Sequence, residues 1–385
     1  MNNFTETRMD ILTNKEIENN LPYSNKVESR VFSTLLDDDR VVASYKMYWL
    51  LGILDEVCEG KEEIQFNRII ARMIVYAWYP TLQYKLSFGS FDNLKKPINY
   101  IAETFGFKPN CDELKLLEAI TISGDKELQK MIKDLTYHVP YRLISPFFKK
   151  QLEGVKDSSK NKLIVELSIE SETCLYKIIK DKIILNAGWA NYLKENYRVI
   201  KSWIYYKIIV FLQKRNPNTP AIALKLEAPK IRKLSGATKL WNEIVIAKSI
   251  KDIYTGKEFH SENYDEYGVF SIDHFIPWSF VLHDQFWNLT PTFKNINSKK
   301  NDDLLLYDKY IGDFCDIQYE AFMYVCEKKV NSALEEYMDA FRLEDIYEFY
   351  RHCNKEMFNS QLKKCISPLY QIAVNQGFQV RESLL

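Results

Sequence analysis

Glycine is scarce in this chain of 385 residues, which contains only 12. The phosphate-binding patterns G-x-G-x-x-G and G-x-x-x-x-G-K-[ST] are both missing, which excludes a fold built on a glycine-rich phosphate loop. Long hydrophobic runs are missing too. The apolar stretches 73–79 and 208–212 are far shorter than the roughly 18 residues of a membrane-spanning helix. We therefore expect a protein with a packed core and no membrane partner.

A disulfide or zinc framework is also missing. The seven cysteines are odd in number and form no C-x-x-C pair, which indicates reduced thiols. His352-Cys353 and Cys365 lack a second close pair of ligands, so they do not predict a zinc site. The N-terminus lacks the basic start and apolar core of a secretory signal. These features together predict a cytoplasmic protein.

What the chain contains is typical of a folded protein with a large core, since 46% of its residues are hydrophobic and 14% aromatic. Apolar residues fall at helical spacing over 41–80, with Pro80 as the predicted end, and again over 189–214. Residues 162–174 predict a strand pair or an irregular segment. Acidic, aromatic helices are predicted from 304 to about 376. The length favours two or three domains.

We predict an α+β protein that is mostly helical, with a small mixed module between two helical regions. The clearest break is the stretch 215–236, which contains three prolines and few helix-compatible runs. The predicted segments are 1–214 (a helical recognition or regulatory region), 215–250 (a basic linker and helix), 251–310 (the module that carries the chemistry) and 311–385 (a helical C-terminal extension).

A net charge of zero hides two oppositely charged segments. Residues 201–250 carry ten Lys or Arg against two Glu, whereas residues 301–350 carry thirteen Asp or Glu against four Lys or Arg. The basic segment is a candidate footprint of nucleic acid, with Lys230, Arg232 and Lys233 as candidate backbone contacts. The alternative is that the two segments pack against each other or present solvated faces. Both interpretations remain open at the sequence level.

The most informative stretch is Ser-Ile-Asp-His-Phe-Ile-Pro-Trp at 271–278, in which Asp273 and His274 are adjacent. Trp-Asn-Leu-Thr-Pro follows at 287–291, and Asn297 comes shortly after. A metal-dependent phosphodiesterase needs a carboxylate on a hard cation, a base to deprotonate water, and a second ligand from elsewhere in the chain. Each residue alone is commonplace: an isolated Asp-His pair is seldom catalytic, and a lone asparagine is usually a turn or cap residue. Only their order and spacing predict a site.

The order of elements resembles the HNH (ββα-metal) endonuclease family over about residues 251–310. A short strand with a glycine turn at 252–259 is followed by a strand ending in Asp-His, a loop with Asn-Leu-x-Pro, and a helix beginning at Asn297. The family often has C-x-x-C in its opening knuckle, and this chain has no cysteine there. It therefore resembles the zinc-free branch that includes the HNH domains of CRISPR effector nucleases. The resemblance implies Mg²⁺ or Mn²⁺ as cofactor and no structural zinc.

The resemblance also implies a role for each residue. His274 matches the general base, and an imidazole, which titrates near about pH 6.5, suits that role. Asp273 and Asn297 match the metal ligands, and Asn288 matches the asparagine that braces the loop holding the base. Basic residues at the helix start are expected to hold a phosphate, and here they are Lys299 and Lys300. His260 and His283 match no motif position and are expected to be structural.

The implied reaction is hydrolysis of a phosphodiester bond, and we expect duplex DNA rather than RNA as substrate. One site cuts one strand, so a double-strand break needs two copies or two visits, and a homodimer or a partner protein would supply the second site. By analogy of architecture, a bacterial restriction or anti-phage defence effector is favoured over a homing or repair enzyme. Two alternatives remain: a non-catalytic nucleic-acid-binding or regulatory protein with a degenerate HNH module, and a nuclease held inactive by its N-terminal region until a trigger arrives.

Overall fold

The computed structural model describes residues 21–37, 41–229, 232 and 234–384. The chain divides into two compact units, Met1–Pro217 and Asn218–Leu385. Both are mainly helical with a few short strands, which confirms the predicted α+β, mostly helical class. The division falls inside the proline-punctuated stretch of the sequence. It also separates residues 201–217 of the basic segment from the rest of that segment.

The first unit consists of helices around one small sheet. The helices are α1 (Ser29–Phe32), α2 (Tyr45–Cys58), α3 (Phe66–Leu82), α4 (Lys95–Thr104), α5 (Glu113–Ile122), α6 (Lys126–Leu135), α7 (Val139–Ile144), α8 (Asp157–Glu170), α9 (Trp189–Glu195) and α10 (Tyr197–Arg215). A 3₁₀ turn spans Ser145–Phe148. The strands β1 (Glu63–Gln65), β2 (Tyr176–Ile179) and β3 (Lys182–Leu185) form an antiparallel sheet with β3 in the centre.

Two predictions for this unit are wrong. The segment predicted as strands or irregular is helix α8, and the strand pair lies just after it, at β2 and β3. Leu, Glu and Lys have high helix propensity and outweigh the few β-branched residues in α8, while Asp157 in its first turn complements the helix dipole. Helix α3 continues through Pro80 and ends at Leu82. Proline removes one N–H donor, but its fixed φ is helical, so the last turn still closes.

The second unit carries a two-stranded sheet surrounded by helices. The helices are α11 (Ser235–Lys248), α12 (Ser261–Tyr267), α13 (Trp278–Val281), α14 (Lys294–Lys300), α15 (Tyr307–Lys328), α16 (Asn331–Phe341), α17 (Ile346–His352) and α18 (Lys355–Asn375). The strands are β4 (Phe270–His274), antiparallel to β5 (Leu289–Phe293), and β6 (Leu304–Leu305), parallel to β7 (Val380–Arg381). Short 3₁₀ turns span Ile222–Leu226 and Phe286–Asn288.

A single hydrophobic core runs through this unit from Trp241 to Leu384. Polar contacts inside it attach the long helix α15 to the sheet: Nε2 of Gln318 donates to the carbonyl of Leu289 at 2.6 Å and to that of Phe286 at 3.1 Å. The Gln318 side chain is fully buried, and its carbonyl oxygen accepts from the Tyr337 hydroxyl. The residues after 310 thus share one core with the strands that carry the Asp-His pair.

The strands differ from the sequence prediction in one respect. The predicted strand at 252–259 forms only an isolated bridge between Lys251 and Glu258. Asp252 explains this, because its Oδ2 accepts from both the amide and the hydroxyl of Thr255 and thereby closes a turn. The second strand is instead β5, which the sequence interpretation treated as a loop.

Gly268 is required at the entrance to β4. Its φ is +83°, and an added Cβ would lie 2.8 Å from Oδ1 of Asn295. A larger residue at this position would be strained by its backbone conformation and would also collide with the first turn of α14.

All seven cysteines are free thiols. Among the described residues, no helix combines the length and the apolar character needed to cross a bilayer.

Candidate active site

The Asp-His pair lies at the end of β4, where the sheet meets helix α14. In the register of the two strands, Asp273 faces Thr290 and His274 faces Leu289, the first residue of β5. Strand β5 leads directly into α14, which packs on both strands. The order strand, strand, helix therefore brings Asp273, His274 and Asn297 into one small region of the second unit.

Asp273 is a buried carboxylate with two partners. The Tyr254 hydroxyl donates to Oδ2 at 2.5 Å, and Nζ of Lys300 lies 3.0 Å from Oδ2 and 3.2 Å from Oδ1. Burial and the neighbouring Asp273 charge together raise the pKa of Tyr254 well above its usual range, so its hydroxyl remains a donor. One ammonium group and one phenol thus balance the carboxylate.

Lys300 is not placed as the sequence predicted. Its side chain is 1% exposed, and besides the contact with Asp273 its Nζ donates to the carbonyl of His274 at 2.8 Å. Helical geometry explains the position, since Lys300 lies one turn after Asn297 on the face of α14 that packs on β4. The proposed phosphate contact of Lys300 does not fit this burial. Lys299 points away from that face and is exposed.

His274 is 5% exposed, and its Nε2 lies 2.9 Å from Oδ1 of Asp284. Burial alone would raise the pKa of Asp284, but the hydrogen bond and the charges of His274 and Arg232 outweigh it and hold that pKa below its usual range. Asp284 is thus ionised at neutral pH. The neighbouring His283 is held neutral, because burial and then His274 lower its pKa to about 4.

Asn288 fixes the segment that follows the histidine. Its Oδ1 accepts from the amide of Ile276 and its Nδ2 donates to the carbonyl of the same residue, both at 2.9 Å. Its own carbonyl accepts from the amide of Phe275. The side chain is fully buried, so these bonds are shielded from water. Asn288 therefore holds the backbone immediately after His274.

Asn297 is half-buried on the first turns of α14 and faces β4. Its Nδ2 donates to the carbonyl of Ile272 at 2.8 Å and to Oγ of Ser271 at 3.1 Å. Because these contacts engage the nitrogen of the amide, the carbonyl oxygen is the end that remains for a ligand.

The basic residues predicted before the site are only partly described. Lys230 and Lys233 lie outside the described residues. The guanidinium of Arg232 lies 4.6 Å from the centre of the Trp278 ring, with Nη1 3.7 Å from Oδ1 of Asp284. Lys248, on α11, lies 3.8 Å from both Glu320 and Glu327 of α15, so part of the basic segment does pack against the acidic helices.

A divalent cation would find suitable donor atoms here. The carboxylate of Asp273 and the amide oxygen of Asn297 are hard ligands, and Mg²⁺ commonly takes one or two protein oxygens while water and phosphate complete its shell. Among the described residues, no group of three or more His, Cys, Asp or Glu could hold a metal by itself. A cation at Asp273 would have to share this carboxylate with the Lys300 ammonium or displace it.

The comparison with known protein families points to the same segment as the geometry of the site. Residues 252–304 match the family model described as HNH endonuclease. The segment is an HNH module. Such a module indicates nuclease activity on a nucleic acid, and HNH nucleases depend on a metal ion. No curated protein and no solved structure shows significant similarity to the chain.

Sequence reasoning missed two residues of this site. Asp284 contacts the histidine from a loop ten residues away, and its only sequence signal is an acid shortly before the Trp-Asn-Leu stretch of the HNH module. Tyr254 was assigned to the opening knuckle, yet its hydroxyl reaches Asp273. Neither contact follows from spacing alone, because both depend on how the loops close over β4.

Proposed function

We propose that the second unit is a metal-dependent endonuclease that hydrolyses phosphodiester bonds in DNA. In this proposal His274 is the general base, and Asp273 and Asn297 hold one Mg²⁺ or Mn²⁺ ion. The ion, when bound, stabilises negative charge on the phosphate and on the leaving oxygen. The proposal rests on the assignment of the HNH module and on the site around β4.

The chain's own residues divide the remaining work. His274 accepts a proton from the attacking water. The two bonds from Asn288 to Ile276 hold the segment that follows the base, so the imidazole meets the substrate in one orientation. The exposed ammonium of Lys299, at the end of α14, can attract a neighbouring phosphate of the DNA. Arg232, which lies beside Asp284, can do the same.

One observation carries the proposal: Asp273 and His274 end β4, and Asn297 of α14 bonds to the carbonyl of Ile272 beside them, although 24 positions of sequence separate Asp273 from Asn297. A structural role alone does not require a base, a carboxylate and an amide oxygen in one place. We further propose duplex DNA as substrate, a bacterial restriction or anti-phage defence role, and cooperation with a second copy or a partner protein for double-strand breaks.

The direct experiment is nicking of supercoiled plasmid by the full chain in Mg²⁺ or Mn²⁺, compared with His274→Ala. We expect the variant to lose about 10²- to 10⁴-fold in rate, because a general base contributes that much. DNA affinity should stay within a few-fold, since no phosphate contact is removed. His260→Ala is the matched control, because His260 is exposed and its ring pairs with Glu258, away from the site. Equal cleavage by His274→Ala would place the reaction elsewhere.

A second candidate function is a nucleic-acid-binding or regulatory protein in which the HNH module is a scaffold. The observation that favours it is the internal pairing of Asp273 with Lys300 and Tyr254, which leaves the carboxylate without an obvious need for a metal. In that case the plasmid stays intact in either metal while DNA still binds. A nuclease that waits for a trigger would behave alike until the trigger is added, so Mg²⁺ or Mn²⁺ binding at Asp273 distinguishes the two.

A further inference from the structure

We propose that Asp284 is the positioning residue for His274: it accepts the hydrogen on Nε2 and thereby leaves Nδ1 as the nitrogen that takes the proton from water. This inference rests on the proposed function, because it concerns the base of the same reaction. It adds a residue to the site and assigns the proton to one nitrogen of the ring.

In the hydrogen bond between His274 and Asp284, the imidazole can only be the donor. An ionised carboxylate has no hydrogen to give, so the imidazole must donate across the 2.9 Å between Nε2 and Oδ1. In a neutral imidazole one nitrogen carries the hydrogen and the other carries a lone pair. A hydrogen fixed on Nε2 therefore leaves the lone pair on Nδ1. No hydrogen bond to Nδ1 is present among the described residues.

Asp284 is itself kept charged and in place. Arg232 approaches the same oxygen, Oδ1, at 3.7 Å, and the guanidinium is in turn held over the Trp278 ring. Burial alone would raise the pKa of Asp284, and the hydrogen bond and charge of His274, followed by the charge of Arg232, hold that pKa below its usual range. The side chain is 31% exposed, so the pair lies at the edge of the site. A carboxylate held in this way can orient the ring through every step of the reaction.

The proposed step is balanced without a further reactant. The O–H bond of water breaks and its proton moves to Nδ1, while the oxygen forms the new bond to phosphorus. The bond from phosphorus to the leaving 3′ oxygen breaks, and that oxygen takes a proton from solvent. The imidazolium that forms keeps its second hydrogen on Nε2, where the Asp284 carboxylate stabilises the positive charge.

The opposite arrangement makes a different prediction. If Nε2 were the base, Asp284 would cover it and would repel the phosphate as well. Removing the carboxylate would then increase cleavage. The two arrangements thus differ in the sign of the effect of one substitution.

The experiment is NMR spectroscopy of the full chain, whose five histidines are labelled with ¹⁵N. The signals of His274 are those that disappear in His274→Gln. In the metal-free protein we expect a His274 ring with a single hydrogen to carry it on Nε2, with that proton protected from exchange. Asp284→Ala should lose the protection, and Asp284→Glu should restore part of it. The hydrogen on Nδ1 in the wild-type protein would overturn the inference, whatever the activity.

Plasmid nicking gives the second readout. We expect Asp284→Ala to lower kcat about 10- to 100-fold, as loss of an orienting partner typically does, with KM little changed. Asp284→Glu should recover part of kcat. Asp265→Asn is the matched control, because Asp265 is an exposed acid of the same unit, on α12. Cleavage by Asp284→Ala equal to or faster than wild type contradicts the inference while His274-dependent cleavage still supports the proposed function.

Discussion

Each unit of the protein has a buried carboxylate that pairs with at least one cation, and the two environments differ. In the first unit Glu56 is fully buried and bonds to three cations: Lys61 at 2.5 Å, Arg72 at 2.7 Å and Arg68 at 2.9 Å. Burial alone would raise the pKa of Glu56, yet the bonds to Lys61 and Arg72 and the charge of Arg68 hold it below its usual range. In the second unit Asp273 has one ammonium and one phenol.

The difference concerns what each carboxylate can still bind. Glu56, on α2, bonds to side chains of α3 and of the turn between the two helices, so its role is to join those elements. Asp273 lies beside His274 and has one cation that a metal could replace. Burial does not distinguish the structural carboxylate from the candidate metal ligand, because both residues are almost fully buried. The number of cations that contact each carboxylate distinguishes them.

The largest stability effect is expected at Glu56. Glu56→Gln removes the buried acid that Arg72 and Arg68 share and leaves them the half-exposed Glu59. Breaking a buried pair in this way costs about 3 kcal/mol or more. Chemical denaturation of the full chain measures the loss. Plasmid nicking per folded molecule should not change, because the site lies in the other unit. Surface substitutions usually change the free energy of unfolding by up to about 0.5 kcal/mol. A loss no larger than that in Glu56→Gln would mean that the ion-pair network does not stabilise the first unit.

A somewhat smaller effect is expected when Asp273 loses its ammonium. Lys300→Met should lower the free energy of unfolding by about 2 to 3 kcal/mol in metal-free buffer, because the carboxylate keeps only Tyr254. Mg²⁺ or Mn²⁺ should then raise the Tm of Lys300→Met more than that of wild type, since a bound cation replaces the lost charge. The control is Asp273→Asn combined with Lys300→Met, which should show no metal-dependent shift. Identical metal shifts in Lys300→Met and wild type would rule out competition between lysine and metal.

The third prediction concerns a buried lysine that has no acidic partner in the described residues. Lys225 is fully buried, its Nζ donates to the carbonyl of Phe280, and burial lowers its pKa to about 7. Between pH 7 and about 10.5 the unfolded chain binds the proton and the folded protein does not, so this group makes stability rise with pH. Below pH 7 both states are protonated and the full penalty remains.

Lys225→Met should therefore stabilise the second unit by on the order of 2 kcal/mol at pH 7, the lost hydrogen bond offsetting part of the gain. The gain should shrink as pH rises from 7 to 9. Urea denaturation of both proteins at several pH values measures the difference between them, so that other titrating groups cancel. A gain that grows with pH would reverse the assignment.

The smallest effect is expected at Lys299. Lys299→Gln should weaken DNA binding a few-fold and reduce the slope of log affinity against log salt by about 0.9, the value for one lost phosphate contact. Lys363→Gln is the control, because Lys363 is also an exposed lysine, on α18. The same change in both variants would mean that the protein's overall charge, rather than a contact at α14, sets the affinity.

The sequence predicted those parts of the site that depend on local order. Asp273, His274, Asn288 and Asn297 follow one another at fixed spacing, and a short antiparallel pair with a helix after it constrains where each one lies. The fold class was predictable for the same reason, since helical periodicity repeats over long runs. These features need no knowledge of distant contacts.

The parts that the sequence did not predict depend on distant contacts. The partners of Asp273 come from a turn nineteen residues before it and from the last residue of α14, and a lysine on that helix looks like a solvated cation until its face is known. Asp284 reaches His274 only because the loop after α13 folds back. Residues 252–255 likewise form a turn instead of the predicted strand, because the Asp252 carboxylate accepts hydrogen bonds from the amide and the hydroxyl of Thr255.

The most direct measurement of the contrast between the two carboxylates is metal-dependent plasmid nicking by Asp273→Asn and Glu56→Gln, each compared with wild type at equal concentrations of folded protein. We predict that Asp273→Asn loses at least about 100-fold in rate, because several kcal/mol of charge stabilisation depend on the metal that it holds. Glu56→Gln should cleave at the wild-type rate. Cleavage retained by Asp273→Asn, or lost equally in both variants, would contradict the account.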